Sequence, residues 1–253
     1  MSVRFENKVV LITGGGSGIG RVTALAFAQA GARLIIADID VAGGEETAVF
    51  IQSQGAEAIF IRTDVSQAAD VEKMVQGAVR KYGRLDIAFN NAGIEGDIVR
   101  TADVTEADFD RIMAVNVKGV WLCMKHQIPQ MIAQGGGVIV NTASVAGLVG
   151  THSMPVYGAG KHAVIGLTKS AALEYARKNI RINAVCPSVI NTPMVRRGFT
   201  SFPQFVEATK RLNPMRRLGE PEEVAAAVLW LCSAEASFVN GTALTVDGGF
   251  TAQ

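Results

Sequence analysis

Apolar positions in this chain fall into short solid runs separated by longer amphipathic stretches. The runs at residues 9–12 (VVLI), 33–37 (RLIIA), 58–61 (AIFI), 85–89 (LDIAF), 137–142 (GVIVNT), 180–186 (IRINAVC) and 242–246 (TALTV) are rich in β-branched residues. They lack the strict alternation of a half-exposed strand, which is the pattern of strands buried on both faces of a parallel sheet. Between them, residues 21–30, 41–54, 67–82, 106–133 and 155–178, and a stretch opening at Pro221 and carrying 224–231, hold helix formers with apolar stripes. Regular alternation of this kind implies right-handed crossovers. The predicted fold is α/β: a Rossmann-like, doubly wound, seven-stranded parallel sheet with helices on both faces, forming a single domain over residues 1–253. Residues 188–214 break the rhythm, with Met194, Phe199, Phe202, Phe205 and Val206 set among basic and small residues, and are expected to form a substrate flap.

Between the first strand and the first helix lies Thr13-Gly14-Gly15-Gly16-Ser17-Gly18-Ile19-Gly20. Glycines there remove the Cβ atoms that would hold a ligand off the backbone, and permit positive φ where the turn needs it. Free N–H groups at a helix start, with the positive end of its dipole, favour a phosphate. The spacing is G-x-x-x-G-x-G through Gly14, Gly18 and Gly20, not the more common G-x-G-x-x-G. Asp38 closes the second strand, where an acid can accept both ribose hydroxyls of an adenosine and repel a 2′-phosphate.

Other strand ends fall on the same carboxyl edge, where open α/β sheets bind ligands. Asp64 and Val65 follow the third strand; Asp64 reads equally as an adenine contact or as a cap of the next helix. Asn90, Asn91, Ala92 and Gly93 follow the fourth, either bracing strand ends or letting backbone approach a ribose. Ser144 follows the fifth. Tyr157 and Lys161 sit one turn apart near the start of a helix and project from the same face. Asn116 lies inside the 106–133 stretch, where an Asn is mildly unfavourable without a partner and reads, on residue type alone, as turned to solvent.

Composition narrows the field. A net charge of +1 offers no electrostatic footprint for nucleic acid or an anionic membrane, so neither is an expected partner. An apolar content of 49% is ample for a large core, yet no run approaches the roughly 18 residues of a membrane span, and the first residues carry no signal-peptide core. Cys123, Cys186 and Cys232 are odd in number and lie within apolar segments, which suits buried thiols in a reducing compartment; the cytoplasm is the expected location. The three histidines form no ligand spacing with them, and no metal is expected.

Taken in order, Thr13 to Gly20, Asn90-Asn91-Ala92-Gly93, Asn116, Ser144, Tyr157-x-x-x-Lys161, and Pro187 with Asn191-Thr192-Pro193-Met194 resemble the short-chain dehydrogenase/reductase family over essentially the whole chain. The resemblance implies reversible oxidation of a secondary alcohol to a ketone by hydride transfer to NAD, with Tyr157 as general acid/base. Ser144 would bind the substrate oxygen, Lys161 would lower the phenol pKa with help from an oxidised nicotinamide, and Asn116 would order a water linking Lys161 to solvent. It also implies a cofactor site made of Gly14, Ser17, Gly18, Ile19, Gly20, Asp38, Asp64, Val65, Asn91, Ala92, Gly93, Tyr157, Lys161, Pro187, Ile190 and Thr192. Asp38 favours NAD over NADP, and Ser17, in place of a basic residue, agrees. Relatives commonly carry Gly after the proline that ends the sixth strand, whereas this chain has Ser188, whose Cβ puts that loop's geometry in question. The substrate is expected to be a small alcohol or ketone, and the assembly a homotetramer through the 106–133 and 155–178 helices. Two other readings are an NADPH-dependent 3-oxoacyl-[acyl-carrier-protein] reductase, which Asp38 opposes, and a cofactor-binding protein of this fold without turnover.

Overall fold

The structure is a computed structural model, and it describes residues 4–196, 207, 210 and 213–252. Its elements in order are β1 (Val9–Thr13), α1 (Gly18–Gln29), β2 (Arg33–Asp38), α2 (Val41–Ser53), β3 (Ala58–Arg62), α3 (Ala68–Tyr82), β4 (Ile87–Asn90), α4 (Glu106–Met113), a π-helical turn (Ala114–Lys118), α5 (Gly119–Ala133), β5 (Gly137–Thr142), α6 (Pro155–Tyr175), β6 (Ile180–Pro187), α7 (Pro221–Cys232) and β7 (Ala243–Val246). The sheet has seven strands in the order β3-β2-β1-β4-β5-β6-β7, and every pairing is parallel. The chain therefore starts at the centre, winds outward to β3, and returns to wind outward the other way. Its direction reverses between β1 and β4, which opens a crevice above their carboxyl ends.

Solid apolar runs suit this sheet because alternate residues enter two different cores. Val9, Leu11, Ile35, Ala88, Ile139 and Ile182 pack with residues of α3, α5 and α6 on one face. Val10, Ile12, Leu34, Ile36, Phe89 and Val185 pack with residues of α1, α2 and α7 on the other. Each of the five residues of β1 is buried, so no position along it is free to be polar except Thr13, whose hydroxyl is used.

One predicted element is corrected. The helix expected to run unbroken over 106–133 is divided into α4 and α5 by the π-helical turn at Ala114–Lys118. Such a widened turn re-aims side chains and recurs at functional sites; here it carries Asn116, which is 1% exposed and not turned to solvent. Gly119 follows the turn because α5 starts against β3's exit: a Cβ on it would lie 2.9 Å from Val65. Helix α6 ends at Tyr175 and the predicted run to 178 finishes as a 3-10 turn, Ala176–Lys178. Of the expected flap, Phe199, Phe202, Phe205 and Val206 lie outside the described residues.

Candidate active site

The glycine-rich turn is built by close approach. Gly14 and Gly18 adopt positive φ, +66° and +52°. A Cβ on Gly20 would collide with the Gly14 carbonyl oxygen, and one on Gly16 would stand 2.9 Å from an Asp38 carboxylate oxygen. That oxygen accepts a hydrogen bond from the Gly16 N–H at 2.8 Å, while the other accepts from the Asp40 N–H at 3.0 Å. Asp38 is thus fixed in orientation by backbone on both sides. Ser17 stands at the N-cap of α1 with extended backbone and no side-chain cap, and no acid lies in the first turn of the helix. Uncapped N–H groups at a helix start, beside a turn that has no room for side chains, suit a phosphate. The cradle therefore fits a dinucleotide.

The segment after β4 is bolted to this turn. The Thr13 hydroxyl accepts from the N–H groups of Asn91 and Ala92 at 3.0 and 3.1 Å. The Asn91 amide donates to the carbonyls of Thr13 and Gly14, both at 3.2 Å. Asn91 therefore braces strand ends with its side chain. Asn90 braces in a second way, within a fully buried amide network: it donates to Gln127 and Asn141 at 3.1 and 2.9 Å, and Asn141 donates to the Thr168 hydroxyl at 3.0 Å. This set ties β4, β5, α5 and α6 together directly beneath the sheet edge. Sequence reasoning did not anticipate Gln127, Asn141 or Thr168, because a polar residue inside an apolar run shows no partner until the topology supplies one.

Asp64 does not cap the following helix, whose N-cap is Gln67. Its carboxylate accepts from the N–H and hydroxyl of Ser66 at 2.9 and 2.7 Å, a local turn that leaves it on the cleft wall. Asn116 clamps the backbone of Ile94 from both sides, accepting from its N–H and donating to its carbonyl, each at 2.8 Å.

On the far side of the cleft, β5 and α6 bring the expected chemistry together. The Lys161 ammonium donates to the Thr142 carbonyl at 2.8 Å and stands 5.5 Å from the centre of the Tyr157 ring. Burial pushes Lys161 down to about 8, with the charge of Cys186 opposing. Burial also pushes the Tyr157 phenol up to about 12; a hydrogen bond with the Ser144 hydroxyl pulls it back and the charge of Glu95 adds to the rise. The lowering expected from Lys161 is not among these causes: desolvation dominates, and Ser144 is the group that lowers the phenol. Tyr157 lies in the first turn of α6, whose dipole presents its positive end there. The Ser144 hydroxyl accepts from the Ala146 N–H at 3.1 Å and reaches the Pro187 carbonyl at 3.4 Å, which joins the ends of β5 and β6.

A cleft of about 440 Å³ joins the two sides. Of the predicted residues, Gly14, Ser17, Gly18, Ile19, Asp38, Asp64, Val65, Asn91, Ala92, Gly93, Ser144, Tyr157, Lys161, Pro187, Ile190 and Thr192 line it. Gly20 and Asn116 stand outside the lining: the first packs on Gly14 and the second holds Ile94 from behind. Ser188 lines the cleft without breaking the sheet, since its N–H donates to the Val246 carbonyl at 3.2 Å and extends the β6–β7 pairing. Ile94 and Glu95, just past Gly93, and Val195, in the stretch expected to form the flap, also line it, as do Thr63 and Val115, which the sequence did not single out.

Comparison with known proteins agrees with this geometry. Residues 14–251 match the family described as Enoyl-(Acyl carrier protein) reductase. The chain belongs to the short-chain dehydrogenase/reductase family. It is 44% identical to a cyclohexanol dehydrogenase of Acinetobacter sp. (strain SE19), over 100% of this chain and 98% of that one. The crystal structure of levodione reductase superimposes with a TM-score of 0.95 at 42% identity, covering 98% of this chain and 99% of that one. A 3-ketoacyl-(acyl-carrier-protein) reductase from Brucella melitensis, solved in complex with NADH, gives a TM-score of 0.91 at 38% identity, covering 97% and 99%. The protein is an oxidoreductase of this family, and the relatives named above are dehydrogenases and reductases of alcohols and ketones. Among the described residues, no helix is long and apolar enough to cross a membrane.

Proposed function

We propose that this protein catalyses the reversible, NAD-linked oxidation of a ring-borne secondary alcohol to the ketone. The observation that carries the reading is the meeting of Ser144, Tyr157 and Lys161 in one cleft that Asp38, at the end of β2, also lines. NAD would be held by the glycine-rich turn and α1 start at its pyrophosphate, by Asp38 at the adenosine ribose, and by Lys161, Ile190 and Thr192 at the nicotinamide end. Bound there, it supplies the acceptor for the carbinol hydride. The chain's own part is the proton. Tyr157 takes the O–H proton of the alcohol, while the Ser144 hydroxyl holds the substrate oxygen against it as charge shifts from alcohol to carbonyl. Lys161, anchored on the Thr142 carbonyl, sets a positive charge beside the phenol. Asn116 acts through the Ile94 segment and is a positioning residue.

The cyclohexanol dehydrogenase and levodione reductase relatives favour a ring substrate, and Ile94, Val115, Met194 and Val195 supply apolar wall for one. The 3-oxoacyl reductase reading draws on the Brucella melitensis neighbour, but Asp38 would repel the 2′-phosphate of NADPH. For assembly, Trp121 on α5, Leu173 on α6 and Phe238 after α7 are exposed apolar side chains that fit the homotetramer expected of the chain. Light scattering that returned a monomer mass would remove that part.

The central experiment is Tyr157→Phe. Turnover of cyclohexanol with NAD is expected to fall by at least about 10³-fold, while NAD still raises the melting temperature, and raises it more than NADP at equal concentration. Near-normal turnover would overturn the mechanism, and a larger shift with NADP would overturn the cofactor assignment.

A further inference from the structure

One ionisable group in the catalytic half of the cleft has no part in the reaction described above. Glu95 lines the cleft together with Ser144 and Tyr157, and also lines a separate cavity of about 20 Å³ that it shares with Tyr157, Val99, Ile112 and Met154. It is therefore part of the wall between the two, beside the reacting groups. Its segment is held at several points. Asn116 grips both backbone groups of Ile94; Gly96, at φ +118°, sits so close to Ile112 that a Cβ would stand 2.5 Å from its Cδ1; and the Val99 N–H donates to the Ser153 carbonyl at 2.9 Å. A charged side chain on a segment fixed in this way is preorganised for recognition, and the ordering cost is met before substrate arrives.

The same cleft lining includes apolar Ile94, Val115, Met194 and Val195, and its other acids among the described residues are Asp38, at the end of β2, and Asp64, after β3. An ionised carboxylate can only accept hydrogen bonds, so it selects a donor and disfavours an anion. We propose that Glu95 is a specificity-determining residue that accepts a hydrogen bond from a second hydroxyl on the substrate, borne across the ring from the reacting carbinol. The substrate class is then ring diols and hydroxyketones in preference to simple ring alcohols. The inference rests on the reading of Ser144 and Tyr157 as partners of the reacting oxygen.

The test compares cyclohexane-1,4-diol with cyclohexanol in the intact protein, in Glu95→Leu and in Glu95→Gln. The ratio of kcat/KM for the diol to that for cyclohexanol is expected to exceed one in the native protein, to fall about tenfold to a hundredfold in Glu95→Leu, and to fall less in Glu95→Gln, which keeps an acceptor oxygen. A second readout needs no turnover. In the Tyr157→Phe protein with NADH, 4-hydroxycyclohexanone should bind more tightly than cyclohexanone, and Glu95→Leu should erase the difference. If Glu95→Leu does not keep its NAD-induced thermal shift, the Glu95→Gln arm decides. A diol-to-cyclohexanol ratio that no Glu95 variant changes, with cyclohexanol turnover still dependent on Tyr157, overturns the inference and leaves the proposed function standing. Loss of Tyr157 dependence for both alcohols overturns the proposed function itself.

Discussion

The two halves of the cleft are built on opposite principles. The half above β1 and β2 works by leaving side chains out: Gly14, Gly16 and Gly20 bring backbone so close to Ala92, Asp38 and each other that any Cβ would intrude. The half above β5 and α6 works by burying polar side chains and satisfying them. Lys161, Asn141 and Ser144 are all at most 9% exposed, and each has a hydrogen-bond partner. Steric exclusion tolerates no added atom, whereas a satisfied polar group tolerates no lost partner. The two halves should therefore fail in different ways when altered.

The largest effect is expected where exclusion is tightest. In Gly20→Ala the new methyl meets the Gly14 carbonyl, with the Asn91 amide 2.7 Å away, and neither can retreat without breaking the turn or its brace on Thr13. Stability should drop by about 1–3 kcal/mol, as for overpacking elsewhere, and the NAD-induced rise in melting temperature should vanish. Gly150→Ala is the control, since a Cβ there meets nothing within 4 Å among the described residues and φ is not positive; it should stay within about 0.5 kcal/mol of the parent. Thermal melts with and without NAD decide the matter, and equal behaviour of the two variants would show that the cradle has slack.

The same contrast explains what could be read from the sequence. The strands were legible because each is short and solid, and most end at a residue that breaks the run, Gly14 after β1, Asp38 on β2, Asn90 on β4, Pro187 on β6 and Asp247 after β7; the exclusion half was legible with them, because glycine spacing is local and Asp38 stands at the end of the next strand. The polar half was legible only through resemblance, because Ser144 and Tyr157 come from different elements and nothing in either stretch announces the other. Asn116 shows the limit most clearly. Its type and position pointed to solvent, yet the π-helical turn buries it against Ile94, a partner 22 positions away. Gln127 and Asn141 were hidden for the same reason. Each interrupts an apolar run, and the pairing of β4 with β5 that sets Asn90 beside Asn141 exists only in the fold.

The polar half makes a smaller prediction, in the dependence of stability on pH. Lys161 has its pKa lowered from 10.5 to about 8, first by burial. Between these values the unfolded chain holds the proton more firmly than the folded one, so raising the pH through this window favours folding; below it the full cost of a buried ammonium is present. In Lys161→Met that contribution is absent. The stability of the native protein relative to this variant should therefore climb by on the order of 2 kcal/mol between about pH 7.5 and pH 10.5, and level off above. Tyr157, whose pKa is raised, acts in the opposite sense above about pH 10, but it is present in both chains and largely cancels in the difference. Urea unfolding of the two proteins across this range measures the climb directly. Parallel profiles would mean that the ammonium, through its hydrogen bond to Thr142, is as well solvated in the fold as in water, and that the positive charge beside Tyr157 persists to higher pH than its burial implies.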